Sequence, residues 1–393
     1  MVRIAPCTRQ PTYMALSSRH SKWRYGYVFK GEPVGWLPAA KGSPVKGTTL
    51  ARELVAVAPR QPVLRKYAEP PLGPNDVRIR SEFGAAKHGT EIPIYRGDAP
   101  TSQARYDPAW RCFLPREDLS AVFPVPLGNM CVGAVTAVGA DVTTCQIGDR
   151  VFGHLPLRDV HVVPATRVKV MPPGLSDEAA VCLDPADAAF AMRDAHVRVG
   201  DRTAVFGLGA IGLFVVQYCR LSGADLVIAV DPVEHRRALA KQLGADIVLD
   251  PTACDAGLEI RKLTERVGVD VALEVSSNAA ALHHAIRGTR YGGTVGVISV
   301  AHVGPALNLG QEFHFNRINL ISARTVSQPF PEIAGWDHGR VESLALQWLT
   351  SGKLCAEGIV RPIVAFDDCV EVYRRIEDHP EESVKLGVRF APA

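Results

Sequence analysis

The chain contains no C-x-x-C pair. Its nine cysteines (Cys7, Cys112, Cys131, Cys145, Cys182, Cys219, Cys254, Cys355 and Cys369) are odd in number and evenly scattered. That pattern suits reduced thiols and excludes a disulfide framework or a clustered-cysteine metal lobe. Long apolar runs are also missing. None approaches the ~18 residues of a spanning helix, and no apolar core of a secretory signal stands near the N-terminus. The expected setting is therefore cytoplasmic, with no membrane partner. There is no G-x-S-x-G elbow, phosphate P-loop or calcium-binding loop.

A basic stripe is absent as well. Eight of the 44 Lys/Arg and one of the 41 Asp/Glu fall in residues 1–50, which leaves 36 basic against 40 acidic residues beyond them. The body is mildly acidic, which argues against nucleic acid as a partner. The basic leader is rich in Pro and Gly and lacks periodicity, so residues 1–50 are expected to form an irregular extension.

What is present is a two-part pattern on 393 residues, with 47% hydrophobic and 22% charged residues. From about 52 to 172, short β-branched or alternating runs such as "DVRIRSEFG" and "CVGAVTAVGADV" are broken by Pro and Gly, which predicts strands. From about 176 the period changes. "SDEAAVCLDPADAAFAMRDAHV" predicts one or two helices capped by Ser176. Strands and helices then alternate from "TAVFGLG" to "GTVGVISV", the signature of a parallel sheet covered on both faces. Two amphipathic helices follow, in "RVESLALQWLTSGKL" and "DDCVEVYRRIEDH". The ligand cleft is expected at the carboxyl ends of the parallel strands.

Within the alternating region, "VFGLGAIG" places Gly207, Gly209 and Gly212 in G-x-G-x-x-G spacing between a strand and a helix. Gly207 permits the tight turn, Gly209 lets the backbone approach a pyrophosphate, and Gly212 lets helix and strand pack closely. Ala210 and Ile211 belong to the helix N-terminus that offers its amides to phosphate. Asp231, 24 residues after Gly207, ends the next strand and can accept hydrogen bonds from ribose hydroxyls while repelling a 2′-phosphate. The expected cofactor is NAD, with His235, Arg236 and Arg237 just downstream as basic neighbours. Ser276 and Ser299, at later strand ends, are expected to border it.

From about 52 to 390 the chain resembles the medium-chain dehydrogenase/reductase superfamily, through "HGTEIPIYRG", "GNMCVGAVTAVGADVTTCQIGDRVF", "CLDPADAAFAM" and "GDRTAVFGLGAIGL" in family order. The resemblance implies an α/β fold: a GroES-like β-rich catalytic domain (51–183 and 326–393) and a doubly wound, parallel-sheet Rossmann domain (184–325). It further implies a homodimer or homotetramer and a small-molecule substrate.

The resemblance also shows what has changed. The zinc branch has C-G-[ST]-D-x-H where this chain has "HGTEIP", so His88 stands at the cysteine ligand. Thr90 matches the substrate-contacting hydroxyl, Glu91 the Asp, and Pro93 the relay histidine. The histidine of G-H-E becomes Asn129. The third ligand falls at Asp184 by motif and at Cys182 or Leu183 by counting. Three strong ligands are thus not preserved, and no metal is expected. His88 is expected to carry the proton, with Asp184 orienting it, Lys87 supplying positive charge, and Thr90 bonding the reacting oxygen. Glu91, Asn129, His154 and His314 are candidates for the substrate wall, with Arg317 beside His314.

The expected activity is zinc-independent, NAD-dependent interconversion of a secondary alcohol and a ketone on a polar, polyol- or sugar-like molecule. The alternatives are a quinone- or enoyl-type NAD(P)H reductase, whose usual NADPH preference Asp231 disfavours, and a non-catalytic NAD-binding scaffold.

Overall fold

A computed structural model describes residues 50–99, 104–107, 109–115, 123–300, 307–325 and 335–392. The expected irregular extension over 1–50 lies almost wholly outside them.

The first part is β-rich, as its alternating pattern requires. β1 (Leu50–Ala56) and β2 (Pro62–Ala68) form a hairpin. β3 (Asp76–Ala85) leads into helix α1 (His88–Arg96), which is followed by the hairpin β4 (Ala104–Asp107) and β5 (Cys112–Pro115). Next come β6 (Val125–Pro126), β7 (Met130–Val138), β8 (Arg150–Gly153), β9 (Val160–Pro164) and β10 (Lys169–Val170). Inward positions of β3 alternate with outward ones, placing Val77, Ile79 and Phe83 in the core.

α2 (Asp177–Val181) begins where Ser176 Oγ accepts a 3.1 Å hydrogen bond from the Ala179 amide, as the sequence predicted. α3 (Leu183–Ala189) follows after a break at Cys182. Strands and helices then alternate: β11 (Arg202–Phe206), α4 (Ala210–Leu221), β12 (Leu226–Val230), α5 (Glu234–Gln242) and β13 (Ile247–Leu249). α6 (Ala256–Leu263), β14 (Val269–Glu274), α7 (Ala279–Gly288), β15 (Thr289–Val297) and β16 (Asn319–Ser322) complete the unit. Its six strands run parallel in the order β13-β12-β11-β14-β15-β16. The order reverses beside β11, which creates the crevice for a dinucleotide.

The chain returns through α8 (His338–Thr350), β17 (Val360–Ala365), α9 (Cys369–Asp378) and β18 (Lys385–Arg389). β18 pairs with both β17 and β3, so the C-terminal strand enters the sheet of the β-rich part. One buried cluster joins Phe83, Met130 and Phe152 to Leu183, Val205, Phe214 and Leu349, so the two sheets share a continuous core. Among the described residues, no helix is long and apolar enough to cross a membrane.

Candidate active site

The dinucleotide crevice is built by the three glycines. Gly207 has φ +94°, and a Cβ there would lie 2.7 Å from the Ser276 Cβ. A Cβ on Gly212 would lie 1.8 Å from the Gly207 carbonyl oxygen, so only glycine allows α4 to start this close to β11. Gly209 caps α4 without a side-chain hydrogen bond, and the space a Cβ would take there is open. Its neighbours Ala210 and Ile211 form the first helical turn, with amides free to receive phosphate.

Asp231 is buried at the end of β12. Its two oxygens accept from the amides of Leu208 (2.7 Å) and Val233 (2.8 Å), which fixes the glycine turn and leaves each oxygen a further lone pair. A cavity of about 1170 Å³ opens beside it, lined by Gly207, Asp231, Arg236, Ser276, Asn278 and Glu381 among others. Its size suits a nucleotide. The residues present therefore fit a nicotinamide dinucleotide.

Ser276 and Ser299 play a part the sequence did not show. Ser276 donates from its amide (2.6 Å) and hydroxyl (2.5 Å) to Glu274, and the Ser299 hydroxyl donates to the other Glu274 oxygen. A fully buried carboxylate thus braces the ends of β14 and β15 beneath the crevice. Ser276 lines the cavity and also acts as a brace.

The "KHGTEIPIYRG" segment leaves β3 and becomes α1. Lys87 occupies the N-cap position, and Gly97, at φ +81°, ends the helix in the left-handed region. Glu91 holds the turn in place. Its oxygens accept from the amides of Lys87 (3.0 Å) and Gly128 (3.2 Å) and from the Tyr373 hydroxyl (3.0 Å). Burial raises the Glu91 pKa, and these donors work against that rise. Glu91, expected on the substrate wall, is an anchor between three segments.

Thr90 is exposed at the first turn. Lys87 Nζ donates to Asp184 Oδ1 at 2.8 Å, joining α1 to α3. Burial opposes the Lys87 charge, but Asp184 beside it holds the ammonium above its ordinary value. For Asp184, burial favours the neutral acid, yet Lys87 and then Lys385 keep it ionised and its pKa low. Asp184 thus contacts this segment directly. Cys182 is wholly buried, and burial pushes its thiol up to about 12.

His88 does not stand as expected. Its Nε2 accepts from the Leu386 amide on β18 at 3.4 Å, and Asp184 is engaged with Lys87 instead. Burial, with Lys385 and Arg236 nearby, lowers its pKa to about 3. A ring held neutral with Nε2 occupied is poorly placed to exchange protons near neutral pH. The same segment carries Lys385, only 3% exposed, whose Nζ donates to the Ala86 carbonyl at 2.8 Å. Nothing in "ESVKLGVRF" signals a buried ammonium, because an alternating strand is expected to turn its lysine outward.

Asn129 pairs through its amide with Ala85 O at 2.9 Å, while its Nδ2 is buried without a partner. Asp184 Oδ2 is likewise buried and unpartnered. His154 follows β8, with its pKa lowered by burial and then by Lys87, against an opposing pull from Asp184. One turn beyond Asp184, Asp187 Oδ2 lies 3.0 Å from His338 Nε2. His314 has an exposed ring edge-on to Phe315 at 5.7 Å, and Arg317, three residues on, adopts φ +50°.

These donors do not fit a catalytic zinc. The expected ligand positions hold a histidine with Nε2 occupied, an amide, and either a carboxylate already paired with an ammonium, Asp184, or a wholly buried thiol, Cys182. Among the described residues, the one cluster of His, Cys, Asp or Glu close enough to share an ion is His379, Glu381 and Glu382, which is exposed and includes none of these positions.

The sequence profile described as zinc-binding dehydrogenase matches residues 210–336. D-guloside 3-dehydrogenase of Escherichia coli (strain K12) is 40% identical over 352 residues, covering 86% of this chain and 100% of that protein. The chain belongs to the zinc-type medium-chain dehydrogenase superfamily. It is an oxidoreductase.

Two solved structures share the superfamily fold. The crystal structure of 2R,3R-butanediol dehydrogenase from Bacillus subtilis matches with TM-score 0.67 and 23% identity, over 87% of this chain and 100% of that one. A putative zinc-binding dehydrogenase from Sinorhizobium meliloti 1021, bound to NADP, matches with TM-score 0.67 and 20% identity, over 87% and 99%.

Proposed function

We propose that this chain is an NAD-dependent, zinc-independent oxidoreductase that interconverts a secondary alcohol and a ketone on a sugar-like molecule. One observation carries the reading. At the N-terminus of α1, the Lys87 ammonium is held 2.8 Å from Asp184, with the exposed Thr90 in the first turn of the same helix.

A bound nicotinamide supplies the hydride acceptor or donor. The protein's own groups must then manage the oxygen. The Lys87 ammonium offers fixed positive charge to the alkoxide-like oxygen that develops as the alcohol is oxidised, and Thr90 offers a hydrogen bond to the same atom. Asn129 Nδ2 and Asp184 Oδ2, a donor and an acceptor lacking partners, suit neighbouring hydroxyls of a polyol, because buried polar groups need partners. Asp231 favours an unphosphorylated ribose and hence NAD.

The substrate class draws support from the relative named for acting on a D-guloside at position 3, a secondary ring alcohol. The test follows NADH formation across polyols, free sugars and glycosides, with NAD and NADP compared at each active substrate. Turnover of a secondary sugar alcohol with a lower Michaelis constant for NAD supports the reading. Turnover confined to quinones or enoyl compounds, or a strong preference for NADP, contradicts it.

A further inference from the structure

Oxidising an alcohol also requires somewhere for its hydroxyl proton to go, and Lys87, His88 and Pro93 do not supply it. Lys87 is already an ammonium paired with Asp184. His88 keeps its Nε2 against the Leu386 amide. Pro93 occupies the position where the superfamily resemblance implies a relay histidine.

The geometry points to His338 as the proton acceptor of the alcohol oxidation, oriented by Asp187. The inference rests on the reading of the chain as an alcohol oxidoreductase, and it assigns a role to two residues that the sequence did not single out.

Asp184 and Asp187 are three residues apart on α3, so their side chains share one face of the helix. Asp184 turns to Lys87, and Asp187 Oδ2 takes His338 Nε2 at 3.0 Å. That contact fixes the proton of a neutral imidazole on Nε2 and leaves Nδ1 as the basic nitrogen. Among the described residues Nδ1 has no partner. The carboxylate–imidazole pair therefore has the arrangement in which a base is held by a third group.

His338 opens α8, where the Asp337 side chain caps the helix by accepting from the Arg340 amide at 2.8 Å. The His338 side chain is 34% exposed, which gives the accepted proton a route to water. Asp184 and Asp187 thus carry the Lys87 contact and the His338 contact from neighbouring turns of one helix face.

The charged groups that face His338 come from three elements. Asp187 on α3 and Glu342 on its own helix favour the imidazolium, while Lys169 on β10 opposes it and is itself paired with Glu342. The hydrogen bond to Asp187 outweighs burial, and the His338 pKa lies above its ordinary value. The step balances. The C–H bond of the alcohol gives its hydride to the oxidised nicotinamide, the O–H proton moves to His338 Nδ1, and the carbonyl forms.

Two readouts test the role. The imidazole of His338 is titrated by NMR in the cofactor-free protein and in Asp187→Asn, and the pH dependence of turnover is compared for wild type, His338→Gln and Asp187→Asn. The expected titration midpoint is above that of free histidine and falls in Asp187→Asn. Oxidation should rise with pH through that midpoint, and His338→Gln should lose the limb together with about 100-fold or more of kcat. In Asp187→Asn the limb should move to lower pH.

A midpoint at or below that of free histidine overturns the pair whatever the substrate. An unchanged acid limb in a folded, active His338→Gln overturns the catalytic role alone. Failure of wild type to oxidise any secondary alcohol instead contradicts the proposed function.

Discussion

Replacing Lys87 with methionine keeps most of the side-chain volume and removes its charge. The structure separates two consequences. The first is on stability: Asp184 loses its 2.8 Å partner while its side chain is only 9% exposed, and its Oδ2 already lacks a partner. Breaking a fully buried pair costs about 3–5 kcal/mol. Lys87 is 27% exposed and Lys385 remains as a neighbouring cation, so a loss of about 2 kcal/mol is expected.

The second consequence is catalytic. Removing one group that stabilises a developing oxyanion lowers kcat by about 100- to 1000-fold. The double variant Lys87→Met/Asp184→Leu tells the two apart. With both charges gone, most of the stability should return, and the activity should not. Urea unfolding with an unchanged m-value reads the first effect, and steady-state NADH formation reads the second. A stable, folded Lys87→Met with kcat within about threefold of wild type would refute the electrostatic role and leave a structural ion pair.

Gly212→Ala should abolish nicotinamide binding or prevent folding, because its Cβ would meet the Gly207 carbonyl at 1.8 Å; near-normal cofactor affinity by calorimetry would contradict the close approach. His88 has a folded pKa of about 3 against an ordinary 6.5, so the folded state binds fewer protons than the unfolded chain. Its contribution to stability is complete above about 6.5 and is lost as pH falls towards 3. His88→Gln should therefore show a shallower fall in stability between those limits than wild type in urea titrations, and an identical slope would contradict the assignment.

The parallel sheet was legible because its signals are local. A strand-to-helix change of period and three glycines at fixed spacing leave few other folds, and β11, α4 and β12 form where those patterns lie. Ser176 was legible as a cap for the same reason. The candidate site was only partly legible because its residues meet across long sequence separations. Lys87 and Asp184 were both identifiable, but the sequence suggested an Asp184–His88 contact, and the structure pairs Asp184 with Lys87.

His88 lost its expected role to β18, whose return beside β3 brings the Leu386 amide to the ring. Lys385 and Glu274 were hidden by burial inside strands, where a charged residue is usually expected to face water. Asp187 and His338 lie 151 positions apart and carry no motif, so only the packing of α3 near α8 brings them together.

In the proposed function, Lys87 supplies the positive charge that a catalytic zinc would otherwise supply. Elemental analysis of untagged protein, with turnover followed before and after chelation, tests it most directly. Zinc is expected far below one per chain, with turnover that a chelator leaves unchanged. Zinc near one per chain, with activity lost on its removal and restored on its return, would contradict it.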